Sequence, residues 1–301
     1  MKSKDTKFDV SMLFELFFFV DNACLLMQQW VAQHWLSEGK TMPRPRSVPK
    51  ISESEILTIL IFYHYSGYKC FEYYYKALVL NDLKTYFPTA PSYNYFIELI
   101  ERVALPMAIL AKLTCQQAEK TGIYYIDAKA LPVCDMPRAK QHKVFAQTAS
   151  KGKSSMGWFF GFKLHLIVNH KGQIVDFALT TGQVADNSKD LLNKLLEKIS
   201  GTLFGDKGYL TTLWNTFFEK GLKIITKVKK NMKNRLMSLE ERLLLKKRPM
   251  IEAINDILTS VFDLEHTRHR KPQNAFVHIV ASLVAYQFYP NKPQVDLAKI
   301  Y

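Results

Sequence analysis

IYYIDAKALPV at 123–133, FFGFKLHLIV at 159–168, QIVDFALTT at 173–181 and TLFGD at 202–206 are the stretches whose reading decides the fold. Each is rich in β-branched and aromatic residues and is bounded by Gly, Asn, Asp or Lys, the pattern of a strand. The NHKG turn at 169–172 joins the second and third into a hairpin. Residues 186–199 repeat apolar side chains at helical spacing, a short helix follows near 213–220, and LKIITKV at 222–228 is a further strand. Three strands in meander, then helix, strand, helix, strand, helix predict an α+β domain over residues 121–301. That element order is RNase H-like, with a mixed five-stranded sheet flanked by helices.

Upstream, residues 1–120 read as an all-helical region for DNA binding or assembly. An amphipathic helix is expected over 10–36. A basic, proline-punctuated linker, GKTMPRPRSVPK, follows at 39–50. Ser52 and Glu55 have capping-box spacing and open a helix to about residue 65. Further helices are expected over 70–83 and from Ser92, the latter kinked at Pro106. These helices could include a helix-turn-helix reader or could form a packed bundle with the aromatics as core. LFELFFFV at 13–20 is broken by Glu15 and ended by Asp21 and Asn22, short of the roughly 20 apolar residues a membrane span needs. The four cysteines form no C-x-x-C pair. A soluble protein of a reducing bacterial cytoplasm, nucleoid-associated and without a membrane partner, is the expectation.

Asp127 interrupts an apolar strand, where a carboxylate is rare unless it is paired or binds a metal. Asp206 ends a later strand between Gly205 and Gly208, which permit a sharp turn. Glu252 lies in the first turn of a helix opened by Pro249. On that helix Ile251, Ile254, Leu258, Val261 and Phe262 share a buried arc, leaving Glu252 on the polar side with Asn255, Thr259 and Asp263. Asp256, Glu265, Glu240 and Glu241 are rival third acids. Taken singly, each acid could serve a turn or a helix end.

Together they are more informative, because the order of elements brings the first strand, the fourth strand and the last helix to one edge of the sheet. Two carboxylates about 4 Å apart repel by roughly 4 kcal/mol at an effective dielectric near 20, so three need a cation. Oxygen-only ligands select Mg²⁺ or Mn²⁺. Two such ions can activate a water or a DNA 3′-hydroxyl and stabilise the leaving oxygen of an in-line displacement at phosphorus.

GDKGY at 205–209, preceded by FFGFKLHL and ALTTGQVAD and followed by KKRPMIE, resembles the DDE transposases of bacterial insertion sequences, most closely the insertion-sequence family numbered 982. The likeness runs along most of the chain and is strongest over 124–286. It implies that Asp127 in YYIDAKALPVCD, Asp206 in GDKGY and Glu252 in RPMIE are the catalytic, metal-holding acids. It further implies cleavage at the element's ends, transfer of the freed 3′-hydroxyl into target DNA, and a homodimer on double-stranded DNA. Ala128 stands where the family pattern has serine, and Pro249 lies where a basic residue is expected.

Charge supports a polyanionic partner. The chain holds 41 Lys and Arg against 27 Asp and Glu, a formal +14. Seven cations and no acid fall between 136 and 175, and eleven cations against two acids between 220 and 248. From the first run Arg138, Lys140, Lys143, Lys151, Lys153 and Lys163 are DNA-contact candidates, with His165 beside Lys163 on one strand face. Lys207, Lys246 and Arg248 complete the set. Asp127-Ala-Lys129 also matches half of a restriction-type nuclease site. EHTRHR at 265–270 with Tyr286 or Tyr289 only superficially resembles a tyrosine recombinase. A DNA-binding relative without activity is the remaining alternative.

Overall fold

The computed structural model describes residues 10–37, 48–209, 213–226, 237–265 and 269–300. The chain forms two compact units. One takes in the chain to Ala111 with Val261–Leu264 and Gln273–Tyr286; the other comprises Lys112–Ser260, Glu265–Pro272 and Gln287–Tyr301.

The first unit is helical. It contains α1 (Val10–Ser37), α2 (Glu53–Tyr63), α3 (Phe71–Tyr74), which continues as a π-helical stretch over Tyr75–Asp82, and α4 (Tyr93–Leu99). The capping box that opens α2 is present in full. The Glu55 amide donates to Ser52 Oγ at 3.1 Å and the Ser52 amide to Glu55 Oε2 at 2.7 Å. Pro106 has no N–H and its ring crowds the carbonyl four residues back. The break it causes lies upstream, as a 3-10 turn over Ile100–Val103 between α4 and α5 (Ala104–Gln116). One face of α1 packs on α2 and buries Leu13, Leu16, Val20 and Ala23. By length and composition alone α1 could also cross a membrane. Residues 39–47 of the proline-punctuated linker lie outside the described part.

The second unit is a mixed sheet of six strands with helices on both faces. The strands are β1 (Ile123–Cys134), β2 (Ser150–Ser154), β3 (Gly157–Asn169), β4 (Ile174–Thr181), β5 (Gly201–Gly205) and β6 (Leu222–Thr226). β1 lies antiparallel to β3 and parallel to β5; β3 also pairs with β4 and β2, and β5 with β6. Five strands stand where the sequence places them. β2, SKGKS, is the addition: it has no apolar alternation and is held by backbone pairing to β3. Its helices are α6 (Lys189–Leu196), α7 (Trp214–Glu219), α8 (Leu239–Lys246) and α9 (Pro249–Ser260). The last helix, α10 (Pro272–Gln287), belongs over Gln273–Tyr286 to the helical unit.

Strand alternation assigns the two faces of the sheet. Tyr124 and Ile126 of β1 enter a core with Leu191, Leu192, Leu195 and Leu196 of α6 and Phe217 of α7. Tyr125 and Asp127 point the other way. The Tyr125 hydroxyl donates to the Leu244 carbonyl of α8 at 3.1 Å, and Asp127 meets α9. β1 is thus buried on both faces, as a central strand must be. On α9, Ile251, Ile254 and Leu258 are buried as their spacing predicts, and so is Phe262 beyond its end. Val261 is exposed instead, because the helix stops at Ser260.

β1 and β3 approach closely at a bulge between Pro132 and Cys134, where Pro132 has no amide to give the ladder. Opposite lies Gly161, and a Cβ there would stand 2.1 Å from the Leu131 carbonyl oxygen. Gly161→Ala should therefore force the two strands apart. We expect a lower urea midpoint at unchanged m-value, a loss of about 2 kcal/mol.

Candidate active site

Asp127 is held by α9 and by Arg248, the residue just before it. Asn255 Nδ2 donates to Oδ2 at 3.0 Å, and Arg248 Nη2 to Oδ1 at 3.0 Å. Through Nη1 the same guanidinium donates to Glu252 Oε1 at 2.7 Å. One cation therefore bridges the acid of β1 and the acid of α9, with Arg248 and Glu252 one helical turn apart. Burial pushes the Asp127 carboxyl above its ordinary range; Arg248 and the Ala128 amide oppose that shift, and Glu252 adds to it. Asn255, placed on the polar arc of α9 by its spacing, is in fact buried because it turns onto Asp127.

Asp206 reaches the same level through the sheet. In the parallel pairing of β1 with β5 the last partners are Tyr125 and Phe204. Asp127 and Asp206 each follow two residues later, on strands about 4.8 Å apart. Neither Gly205 nor Gly208 has a positive φ. Gly205 is needed for packing instead, since a Cβ would meet Ile126 Cγ2 at 3.0 Å and Tyr209 Cβ at 3.3 Å. Nothing in the structure requires glycine at 208.

Two further side chains converge here that the sequence reading did not single out. The Tyr209 ring is buried and its hydroxyl has no hydrogen-bond partner among the described residues. Burial first, then the charges of Asp127 and Asp186, hold this phenol protonated; Arg248 and Asp206 also reach it. Asp186 lies before α6, in the turn after β4, and accepts from Lys163 Nζ at 2.9 Å. The helix expected from Asp186 begins only at Lys189, which leaves that carboxylate free to face β3. The motifs ALTTGQVAD and GDKGY contain these two residues, but only their convergence in space marks them.

The basic candidates divide into two groups. Arg138, Lys140, Lys143, Lys151, Lys153, Lys207 and Lys246 are exposed and enter no ion pair among the described residues. Lys163 and His165 are buried. Their partners on β1 are Ala130 and Ala128, so they occupy the face opposite the Asp127 side chain. Lys163 Nζ also donates to the Val184 carbonyl at 3.0 Å, and His165 Nε2 lies 3.0 Å from Thr180 Oγ1. These contacts commit both side chains internally. Arg248 is likewise bound to the acids. Lys129 pairs with Glu265 at 2.9 Å, which occupies the lysine a restriction-type site would need and takes up one rival third acid. Lys227, Lys229, Lys230, Lys233, Arg235 and His266 lie outside the described residues.

Among the described residues no three acidic, His or Cys side chains already stand close enough to form a cation cage. The donor chemistry nevertheless suits a hard divalent ion. Asp127, Asp206 and Glu252 offer carboxylate oxygens, and Asn255 Oδ1 is a buried oxygen without a partner among the described residues. Arg248 supplies the positive charge in the present arrangement.

A family model described as a transposase DDE domain matches residues 117–272, more than half of the 301-residue chain. Comparison with curated proteins gives no match.

Two stability predictions follow from this geometry. Arg248→Ala leaves the half-buried Asp127 without its cation, and should cost roughly 2 kcal/mol at neutral pH by urea unfolding. The loss should shrink in acid, where Asp127 takes a proton. His165 behaves in the opposite sense, because burial lowers its pKa to about 4. The unfolded chain binds that proton below about pH 6.5, so stability should fall as pH drops from there through about 4, by up to roughly 3 kcal/mol. His165→Gln should remove this slope.

Proposed function

The chain belongs to the family defined by the transposase DDE domain, and on that premise we propose that Asp127, Asp206 and Glu252 form the catalytic acid set of a DNA transposase of the insertion-sequence family numbered 982. The observation that carries this reading is the Arg248 bridge, which ties an acid of β1 to an acid of α9 beside the strand end that bears Asp206. The strand order β4-β3-β1-β5-β6 supports an RNase H-like catalytic domain.

In this reading the three acids would hold two Mg²⁺ or Mn²⁺ ions. Such ions, when bound, supply activation of the attacking oxygen and neutralisation of the leaving oxygen at phosphorus. The rest falls to the chain's own groups. Asn255 fixes the rotamer of Asp127 by donating to one carboxylate oxygen and leaving the other for the cation. Arg248 bridges the two acids and, with a metal cation in its place, would be free to turn its planar fork to a phosphate. The buried Tyr209 hydroxyl stays protonated and can donate to an acid or to the attacking water. Lys163, anchoring Asp186, holds the loop after β4 against Gly208 and Tyr209.

The substrate is double-stranded DNA, first the ends of the mobile element and then the target, and two copies of the chain handle the two ends together. The exposed cations Arg138, Lys140, Lys143, Lys151, Lys153, Lys207 and Lys246 follow the backbone. The helical region takes part in end recognition or assembly, and the enzyme works in the bacterial cytoplasm on the nucleoid.

Mg²⁺- or Mn²⁺-dependent nicking of DNA carrying the element's own termini tests the acid set. Asp127→Asn, Asp206→Asn and Glu252→Gln should each abolish cleavage while leaving DNA binding intact. If Glu252→Gln still cuts, the third ligand lies elsewhere; if wild type binds but never cuts, the chain is a DNA-binding relative. Affinity should also fall roughly a thousandfold between about 50 and 200 mM salt, and a flat response would refute the backbone contacts.

A further inference from the structure

The hairpin formed by β2 and β3 has a polar ladder and an apolar end. Ser150 pairs with Gly161, Lys151 with Phe160, Gly152 with Phe159, Lys153 with Trp158 and Ser154 with Gly157. Its root is anchored: a Cβ on Gly152 would stand 2.2 Å from the Gly182 carbonyl oxygen, and Phe159 is buried beside it. Its tip is ordered by side-chain bonds. The Met156 amide donates to Ser154 Oγ at 3.2 Å, that hydroxyl donates to the Gly157 carbonyl, and Gly157 takes a φ of +117° that only glycine adopts easily.

At this tip Met156 is 97% exposed and Trp158 64% exposed. Directly opposed residues share a face, so Trp158 stands beside Lys153, with Lys151 two residues along the same side. Lys153 Nζ lies 5.8 Å from the centre of the indole ring. Arg138, Lys140 and Lys143 precede the hairpin, and no acid occurs between 136 and 175. A large π-surface flanked by lysines suits a nucleobase whose neighbouring phosphates the lysines hold. A protein partner would have to bring its own acids to every one of those cations.

Position adds to the argument. β3 runs unbroken from Trp158 to Leu166, the partner of Asp127. Eight residues at about 3.3 Å each put the indole about 26 Å along the strand from the acid. The hairpin extends beyond the end of β1, the direction in which β1 and β5 lead to Asp127 and Asp206. At 3.4 Å per base step that reach is about 8 base pairs.

We propose that the β2–β3 hairpin is a base-stacking arm: Trp158 stacks on an opened or unpaired base about 8 base pairs from the cut, Met156 wedges the step, and Lys151 and Lys153 hold its phosphates. This rests on the DNA reading above but assigns a separate site, with a readout independent of catalysis.

The test is fluorescence anisotropy without divalent metal, using a labelled duplex of about 30 base pairs and the same duplex with one unpaired adenine. Wild type should prefer the bulged duplex by roughly 5- to 100-fold. Trp158→Ala should lose that preference yet keep its affinity for the plain duplex, whereas Trp158→Phe should retain most of it. The Lys151→Ala/Lys153→Ala double variant should weaken binding to both and flatten the salt dependence. A preference that survives Trp158→Ala, or no preference in wild type, overturns the stacking arm and leaves the DNA reading standing. Failure of wild type to bind either duplex overturns both.

Discussion

Asp127 sits in the middle of a strand whose apolar neighbours are buried on both faces of the sheet, and an ionised carboxylate in such a place costs several kcal/mol unless a cation and donors accompany it. Arg248, in the turn just before α9, and Asn255, in the second turn of α9, answer that demand. Much of the second unit is explained by this one requirement. β1 must be central for the acid to be shielded, α9 must cross it at Asp127, and Glu252 is brought in because it shares the guanidinium one turn away.

The same arrangement explains how the chain itself balances two neighbouring acids. A guanidinium offers two parallel donors to two different acids, so the positive charge is delivered by the chain itself. Its Nε is buried without a partner among the described residues, as is Asn255 Oδ1. A buried donor or acceptor left unpaired forfeits about 1–3 kcal/mol, so these two atoms subtract from what the bridge contributes.

Much of this was legible in the sequence because strand and helix periodicity report burial directly. β1, β3, β4, β5 and β6 were readable from apolar runs, and α9 from Pro249 and the spacing of Ile251, Ile254 and Leu258. β2 was not, because SKGKS has no apolar face and exists only by pairing with β3. The Arg248 bridge and the turn of Asn255 onto Asp127 depend on contacts more than 120 residues apart in sequence, which no local pattern carries. Lys163 looked like a phosphate contact because it lies in a basic run; its strand faces the interior, and Asp186 neutralises it there. Tyr209 was hidden in a motif read for its aspartate alone.

The path of the chain through the two units bears on how the protein comes into being. α10 is buried along nearly its whole length in the helical unit, where the Tyr65 hydroxyl donates to the Ala285 carbonyl and His278 packs against His64. The helices α1 to α4 therefore cannot complete their core until α10, far downstream, has been synthesised. The intervening sheet has all its strands by residue 226. A nascent chain would thus hold a largely formed sheet while the upstream helices still expose the groove for α10, and premature termination before residue 272 would disable the helical half as surely as a deletion within it.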